Sequence, residues 1–255
     1  MANLNLIYTI QNKTTKVEHI YKHVLQHTTP NTDYTVSIIS QLGVFYLSQS
    51  RYQEAETHIK QALDMASQHL PATDPVVAMT KHNLAVLYSS TNRLEEAEKL
   101  LLETIALNEQ IFSKNHPHTI QAVTELAKVY QSQGKLGLAE LLYKRALKVG
   151  ESKQSKLPTQ IKSVSHLEQL RGQYEPTSHV LQHLLNLYTE QGKTKIAETM
   201  YLDLLANNER LFGKEHETTI NTMLGIGVLY LCSENYEKAE PLIHYVLEQK
   251  EKQKG

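Results

Sequence analysis

Two histidines four residues apart are the clearest candidates for metal chemistry in this sequence. His179 and His183 would lie on one face of a helix, a spacing that can present two imidazoles to a metal ion. No acidic or cysteine partner follows at a recognisable spacing, although Glu190 lies further along the same predicted helix. We therefore predict no metal site, and we interpret both histidines as surface or groove residues.

No pattern typical of an active site is present. The sequence has no Gly-rich phosphate loop, no nucleophile elbow and no cysteine-centred catalytic motif, and no strand pattern that would support one. Dispersed Ser, His and Asp residues do not indicate catalysis, because catalytic groups are recognised by their mutual geometry. We predict a protein that is not an enzyme and that needs no cofactor.

The composition indicates the cellular location of the protein and excludes some classes of partner. Lys plus Arg (26) nearly balance Asp plus Glu (27), whereas a general nucleic-acid binder needs a basic face. The single cysteine, Cys232, cannot form an internal disulfide. No signal-peptide pattern opens the sequence, and no run approaches the roughly 18 consecutive apolar residues of a membrane helix. We expect a cytoplasmic protein that binds neither nucleic acid nor membrane.

A repeat organises nearly the whole chain. The segments LGVFYLSQSRYQEAE, LAVLYSSTNRLEEAE, LAKVYQSQGKLGLAE, LLNLYTEQGKTKIAE and IGVLYLCSENYEKAE begin at Leu42, Leu84, Leu126, Leu184 and Ile226. They align without gaps, and their starts lie 42, 42, 58 and 42 residues apart. A degenerate sixth copy precedes them, since Leu4, Tyr8, Val17 and Tyr21 lie 38 residues before Leu42, Tyr46, Ala55 and Ile59.

Each copy is predicted to form two amphipathic helices. Apolar residues recur at steps of three and four on both sides of a polar break, which suits a tight turn at residues such as Gly134 and Gly192. Small residues mark positions where the two helices approach closely: Gly43, Ala55, Ala97, Ala139, Ala197 and Ala239. Between copies, Asp74, His116 and His216 are interpreted as loop and helix-capping residues.

The order of leucine, small residue, tyrosine and later alanine resembles the tetratricopeptide (TPR) repeat. This resemblance implies an all-α fold, a right-handed superhelical solenoid of antiparallel helix pairs with five full hairpins and one partial N-terminal hairpin. The 42-residue spacing is longer than the usual period of about 34. It resembles the repeats of kinesin light chains and nephrocystin-3.

The repeats are predicted to form one domain over residues 1–255. Its parts are a partial repeat at 1–29, full repeats at 33–70, 75–112, 117–150, 175–213 and 217–254, and an inserted linker or short helix at 151–172. The insertion accounts for the single anomalous spacing. Its basic residues could dock an acidic partner, although a solvated polar linker is the ordinary interpretation.

The resemblance places ligands on the concave surface, which the first helix of each pair lines. The predicted groove residues are Gln41, Val44, Met79, His82, Asn83, Val86, Gln121, Glu125, Lys128, His179, Gln182, His183 and Asn186. In kinesin light chains this groove captures extended cargo-adaptor peptides, and Asn83 matches a peptide-holding asparagine. The equivalent Gln41, Glu125, His183 and Gly225 do not match. The carboxylate clamp of TPR co-chaperones is absent, since Glu125 would repel a carboxylate.

We therefore predict a non-catalytic scaffold or adaptor that binds an extended peptide of a protein partner. Asn83→Ala and His183→Ala should weaken partner capture without unfolding the chain. One alternative is a structural solenoid that forms homo-oligomers through the truncated N-terminal hairpin, where Leu4, Ile7 and Tyr8 would be exposed. Another is that the chain is a fragment of a larger multidomain regulatory protein.

Overall fold

The computed structural model describes residues 14–27, 33–151 and 178–252, and within them all regular structure is helical. The helices are α1 (Thr14–Gln26), α2 (Asp33–Ser48), α3 (Tyr52–His69), α4 (Pro75–Ser90), α5 (Leu94–Ile111), α6 (Pro117–Ser132), α7 (Leu136–Glu151), α8 (residues 178–190), α9 (Thr194–Phe212), α10 (Glu217–Cys232) and α11 (Tyr236–Lys252). The predicted all-α class is confirmed. The predicted insertion beyond residue 151 and the apolar residues Leu4, Ile7 and Tyr8 lie outside the described residues.

The chain divides into two compact units, residues 1–133 and residues 134–255. Unit 1 contains the hairpins α2–α3 and α4–α5, flanked by α1 and α6. Unit 2 contains α7 and the hairpins α8–α9 and α10–α11. None of the described helices is both long enough and apolar enough to cross a membrane.

The turn inside each hairpin is built on one residue in the left-handed conformation. The residues with positive φ at these turns are Ser50, Asn92, Gly134, Gly192 and Glu234. The reversal brings the next amide back onto the first helix, as where Arg93 N–H donates to the Tyr88 carbonyl at 2.8 Å. Two consecutive helices can then pack antiparallel after a break of only a few residues.

Small residues at the helix contact let the two helices of a hairpin approach closely, as the sequence predicts. The five repeat alanines are fully buried. At Gly43 a Cβ atom would lie 2.4 Å from Ile59 Cγ1, far inside van der Waals contact. A larger side chain at this position would force the helices of the hairpin apart.

A glutamate on the second helix of each repeat contacts the next hairpin. It follows the repeat alanine, or Val17 in the first copy. Glu18 accepts hydrogen bonds from the Tyr46 hydroxyl at 3.0 Å and from Arg51 at 2.8 Å. Glu140 accepts from Tyr188 at 3.3 Å and from Lys193 at 2.9 Å. We call this set the junction glutamates: Glu18, Glu56, Glu98, Glu140 and Glu198. They fasten successive hairpins through charge-assisted hydrogen bonds.

The cations at these junctions also lie over the tyrosine rings. The Arg93 guanidinium is 3.8 Å from the centre of the Tyr88 ring and donates to Glu56 at 2.8 Å. Hydrogen bonds from Lys144, the larger cause, and from Lys193 lower the pKa of Glu140 to about 2. Hydrogen bonds also lower the pKa values of Glu18, Glu56 and Glu198, so the fold stabilises these four carboxylates in the ionised form.

Side chains cap the N-termini of the first helices α4, α6 and α10. Asp74 Oδ1 accepts from the Val76 amide at 2.8 Å, and Nδ1 of His116 accepts from the His118 amide at 3.3 Å. His216 caps α10 in the same way. These contacts confirm the capping interpretation of the three residues.

Candidate functional site

The first helices of the hairpins form the inner layer of unit 1. Helix α4 packs against both α2 and α6, whereas the second helices α3 and α5 do not pack closely against each other. Asn83 Nδ2 on α4 donates to Ser40 Oγ on α2 at 2.9 Å. In a curved two-layer array the more closely spaced layer lies on the concave side, so α2, α4 and α6 line the inner side of this unit.

The predicted groove residues of unit 1 project from these three helices. We define the inner face as Gln41, Val44, Met79, His82, Asn83, Val86, Gln121, Glu125 and Lys128. Gln121 is exposed, and Val44 and Met79 are 38% and 36% exposed. The inner face therefore combines accessible apolar contacts with polar groups.

Asn83 is held in place but keeps hydrogen-bonding capacity. Its Nδ2 uses one hydrogen on the buried Ser40 hydroxyl, and its Oδ1 has no partner among the described residues. Gln41, at the same repeat position on α2, has a buried Oε1 that also lacks a partner among those residues. A carboxamide with a free acceptor and a free donor hydrogen can pair with both groups of a peptide bond.

Charges on the inner face cancel within unit 1. Lys128 Nζ donates to Glu125 Oε1 at 2.8 Å. Burial lowers the pKa of His82 below its usual value of 6.5, so the ring is neutral at pH 7. Glu125 is thus paired, and no uncompensated cation is left on the inner face to hold a terminal carboxylate. This face can bind a ligand through hydrogen bonds and apolar contacts without selecting one sign of charge.

Three of the four predicted groove residues in unit 2 make contacts within the fold. Gln182 Nε2 donates to the Asn221 carbonyl at 2.7 Å, and Asn186 Oδ1 accepts from the Tyr201 hydroxyl at 2.5 Å. The His183 ring stacks on the buried Tyr143 ring, with centroids 5.9 Å apart. His183→Ala would therefore also remove packing, which makes it a poor test of ligand binding.

His179, the fourth residue, is exposed. Within the described parts of the chain, no three or more His, Cys, Asp or Glu side chains are grouped so that they could hold a metal ion.

The sequence analysis did not identify one further exposed valine on a first helix. Val228 on α10 is 43% exposed and occupies the repeat position of Val44 and Val86. The signal was available in the aligned repeats, where the position two residues after the repeat leucine is valine in three copies. Exposed valines thus occur on the first helices of both units.

The family model described as the MalT-like TPR region matches residues 1–253. This chain belongs to the MalT-like TPR family. No curated protein sequence matches it significantly. The repeats observed in the sequence are therefore TPR repeats. This repeat architecture supports a role as a protein-interaction scaffold.

Solved structures share the fold at low sequence identity. TPR-like repeats from P. anserina, assigned to a kinesin light chain, align with a TM-score of 0.65 and 18% identity, covering 87% of this chain and 97% of their own. BtubC (BKLC) from P. vanneervenii aligns with a TM-score of 0.68 and 18% identity, covering 96% and 91%. NprR in complex with its cognate peptide NprX aligns with a TM-score of 0.62 and 16% identity, covering 96% and 66%.

Proposed function

We propose that the TPR protein is a cytoplasmic, non-catalytic adaptor whose inner face in unit 1 binds an extended peptide segment of a partner protein. The observation that carries this proposal is the Asn83 carboxamide, which Ser40 orients by a hydrogen bond. Val44 lies four residues after Ser40 on α2, Met79 lies four residues before Asn83 on α4, and both side chains are accessible. The similar fold of NprR with its peptide, and of kinesin-light-chain repeats, supports a peptide ligand and a kinesin-light-chain-like mode of binding.

Helix spacing limits what such a peptide would look like. Packed helices lie about 8–10 Å apart, and an extended chain advances about 3.3 Å per residue. Neighbouring first helices would therefore meet peptide residues about three positions apart. Val44 and Val86 occupy the same repeat position on α2 and α4, so we expect apolar ligand residues at that spacing. Asn83 would pair with the peptide backbone between them.

The neutral inner face further restricts the ligand class. Because Glu125 and Lys128 satisfy each other and His82 is uncharged, recognition should not depend on a terminal carboxylate or a phosphate. We expect internal, mostly uncharged peptide segments. Their affinity should change little between low and moderate salt, since few ion pairs form on binding.

The experiment selects ligands from a library of random peptides displayed on phage and measures a selected peptide by isothermal titration calorimetry. Val44→Glu should weaken binding about tenfold or more, because it removes an apolar contact and introduces a carboxylate that would lose its hydration on binding. The matched control is Leu102→Glu on the second helix α5, where the leucine is 49% exposed. Circular dichroism would establish that both variants are folded.

Three results would contradict the proposal. The library could yield no binder, the Val44 variant could bind as tightly as the wild type, or the Leu102 variant could lose binding to the same extent. Enriched peptides with apolar residues about three positions apart, sensitive to Val44 and insensitive to Leu102, would support it.

A further inference from the structure

Unit 2 contains a second carboxamide that the fold orients, Asn186 on α8. Its Oδ1 accepts a hydrogen bond from the Tyr201 hydroxyl on α9 at 2.5 Å. Asn186 is exposed, and its Nδ2 has no partner among the described residues. Asn83 in unit 1 is held at the opposite end, through its Nδ2. Asn186 therefore offers two N–H donors to a ligand, whereas Asn83 offers an acceptor and one donor.

A glycine on the neighbouring first helix makes room for the Tyr201 ring. Gly225 on α10 occupies a repeat position that carries a side chain in the other four full copies: Gln41, Asn83, Glu125 and His183. A Cβ atom at Gly225 would lie 2.7 Å from Tyr201 Oη and 2.9 Å from its Cζ. Because Tyr201 is fully buried, its ring could not move aside freely. The missing side chain thus lets the Tyr201 hydroxyl reach Asn186.

The Tyr201 hydroxyl is the donor in this contact. Burial raises the pKa of Tyr201 above its usual value of 10, so the hydroxyl stays protonated at neutral pH. The carbonyl oxygen of Asn186 can only accept, so the hydroxyl must donate to it. The hydrogen bond restricts an exposed side chain that would otherwise sample several rotamers. Tyr201 is therefore a positioning residue, since it orients Asn186 and is itself inaccessible to a ligand.

The surface around Asn186 is uncharged and partly apolar. Helices α8 and α10 contain no lysine or arginine, and their only acidic residues are Glu190, the last residue of α8, and Glu217, the first of α10. Val228 lies three residues after Gly225 on the same side of α10 and is 43% exposed. Without a cation this surface would bind a carboxylate poorly. N–H donors beside an exposed apolar side chain suit the carbonyl oxygens of an extended peptide instead.

We propose that unit 2 holds a second peptide site, in which Tyr201 positions Asn186 to donate hydrogen bonds to main-chain carbonyl oxygens of an extended segment. Val228 would contact an apolar side chain of the same segment. The inference rests on the proposed function in taking first helices as ligand surfaces, but its residues are separate from the inner face of unit 1. With a site on each unit, one chain could hold two peptide segments.

The experiment uses the full chain with Val44→Glu, in which binding at the inner face of unit 1 should be weak. Peptides are selected on this variant from a random library displayed on phage and are measured by isothermal titration calorimetry. Adding Asn186→Asp should weaken binding about tenfold or more, because it keeps the acceptor for Tyr201 but replaces both donors by an oxygen that repels a carbonyl. Tyr201→Phe retains the ring and should weaken binding about two- to tenfold by releasing Asn186.

Two matched substitutions in unit 2 control for charge and for the loss of a hydroxyl. Asn207→Asp adds the same charge on α9, at a side chain without a hydrogen-bond partner among the described residues. Tyr230→Phe removes a hydroxyl that donates to Glu198 at 2.9 Å. Both should leave the affinity unchanged, and circular dichroism would establish that every variant is folded.

The outcomes separate this site from the one proposed on unit 1. Peptides that lose binding with Asn186→Asp and Tyr201→Phe, and keep it with both controls, would support the inference. It would be overturned if the Val44→Glu chain yielded no binder, if the selected peptides were insensitive to Asn186→Asp or Tyr201→Phe, or if the controls weakened binding equally. Peptides selected on the wild type that are insensitive to Val44→Glu would contradict the proposal for unit 1 alone.

Discussion

Replacing Glu140 by glutamine tests how much a junction glutamate contributes to stability. The carboxylate accepts hydrogen bonds from Lys144 at 2.6 Å, Lys193 at 2.9 Å and Tyr188 at 3.3 Å. A folded-state pKa lowered from 4.5 to about 2 corresponds to a contribution of about 3 kcal/mol to the free energy of unfolding, before solvent screening is considered. Both lysines are about half exposed, so solvent screening reduces the expected loss to about 1–2 kcal/mol. The midpoint of thermal unfolding should fall by about 3–6 °C at pH 7.

The pH dependence of this loss has a defined sign. Because the folded-state pKa of Glu140 lies below the unfolded value, its stabilisation is complete above pH 4.5 and disappears as pH falls towards about 2. Urea unfolding of the wild type and Glu140→Gln should therefore give a constant difference from pH 7 to 5 and a shrinking one below pH 4.5. Glu240→Gln, at the same repeat position but with no partner in the described part of the chain, should not change stability. A difference that is absent at pH 7, or that does not shrink in acid, would refute this reasoning.

Backbone and packing features of the hairpins lead to three further predictions, all measured by urea unfolding. Gly134 and Glu234 both have positive φ, a conformation that glycine adopts without strain. Gly134→Ala should therefore lower the free energy of unfolding by about 1 kcal/mol, and Glu234→Gly should raise it by about 0.5–1 kcal/mol. Changes of the same sign would contradict this explanation. Gly43→Ala should cost about 1–3 kcal/mol through its clash with Ile59 Cγ1. Ile59→Ala removes this atom, so the double variant should lose less stability than the sum of the two single losses, and simple additivity would argue against the clash. Asp74→Ala should cost about 1 kcal/mol by removing the cap of α4, whereas Asp74→Ser should retain most of that stability.

Periodicity in the sequence was sufficient to predict the hairpins. The step from one repeat to the next located the five repeat alanines, all of which are fully buried, and the polar breaks predicted the turns at Gly134 and Gly192. Glu234 was not anticipated at a turn, because glutamate has no preference for positive φ. Its conformation is imposed by the same backbone reversal that the glycines adopt readily in other copies.

The junction glutamates were visible in the sequence but could not be interpreted from it. Each follows the repeat alanine or, for Glu18, the equivalent Val17. A charged residue on an amphipathic helix, however, normally indicates the solvated face. Their partners lie on the next hairpin, as for Glu56 and Arg93, which are 37 residues apart. Only the packing of successive hairpins shows that this edge of the helix meets a tyrosine and a cation.

Repeat alignment predicted the groove positions but not which of them the fold itself uses. Gln182 and Asn186 are occupied by contacts with Asn221 and Tyr201 on other helices. Asn83 keeps a free acceptor although Ser40 holds its amide nitrogen. This hydrogen bond means that Asn83→Ala would disturb packing as well as binding, so substitutions at the exposed Val44 or Met79 test ligand contact more cleanly.

Photocrosslinking tests the central claim of an inner binding face most directly. A photoreactive amino acid would replace Val44 in one sample and Leu102 in another, two sites of similar exposure at 38% and 49%. Each would be irradiated with a library-selected peptide, and the adducts would be mapped by mass spectrometry. The account predicts a strong adduct at position 44 and none at position 102. Labelling at position 102 alone, or equal labelling at both, would contradict it.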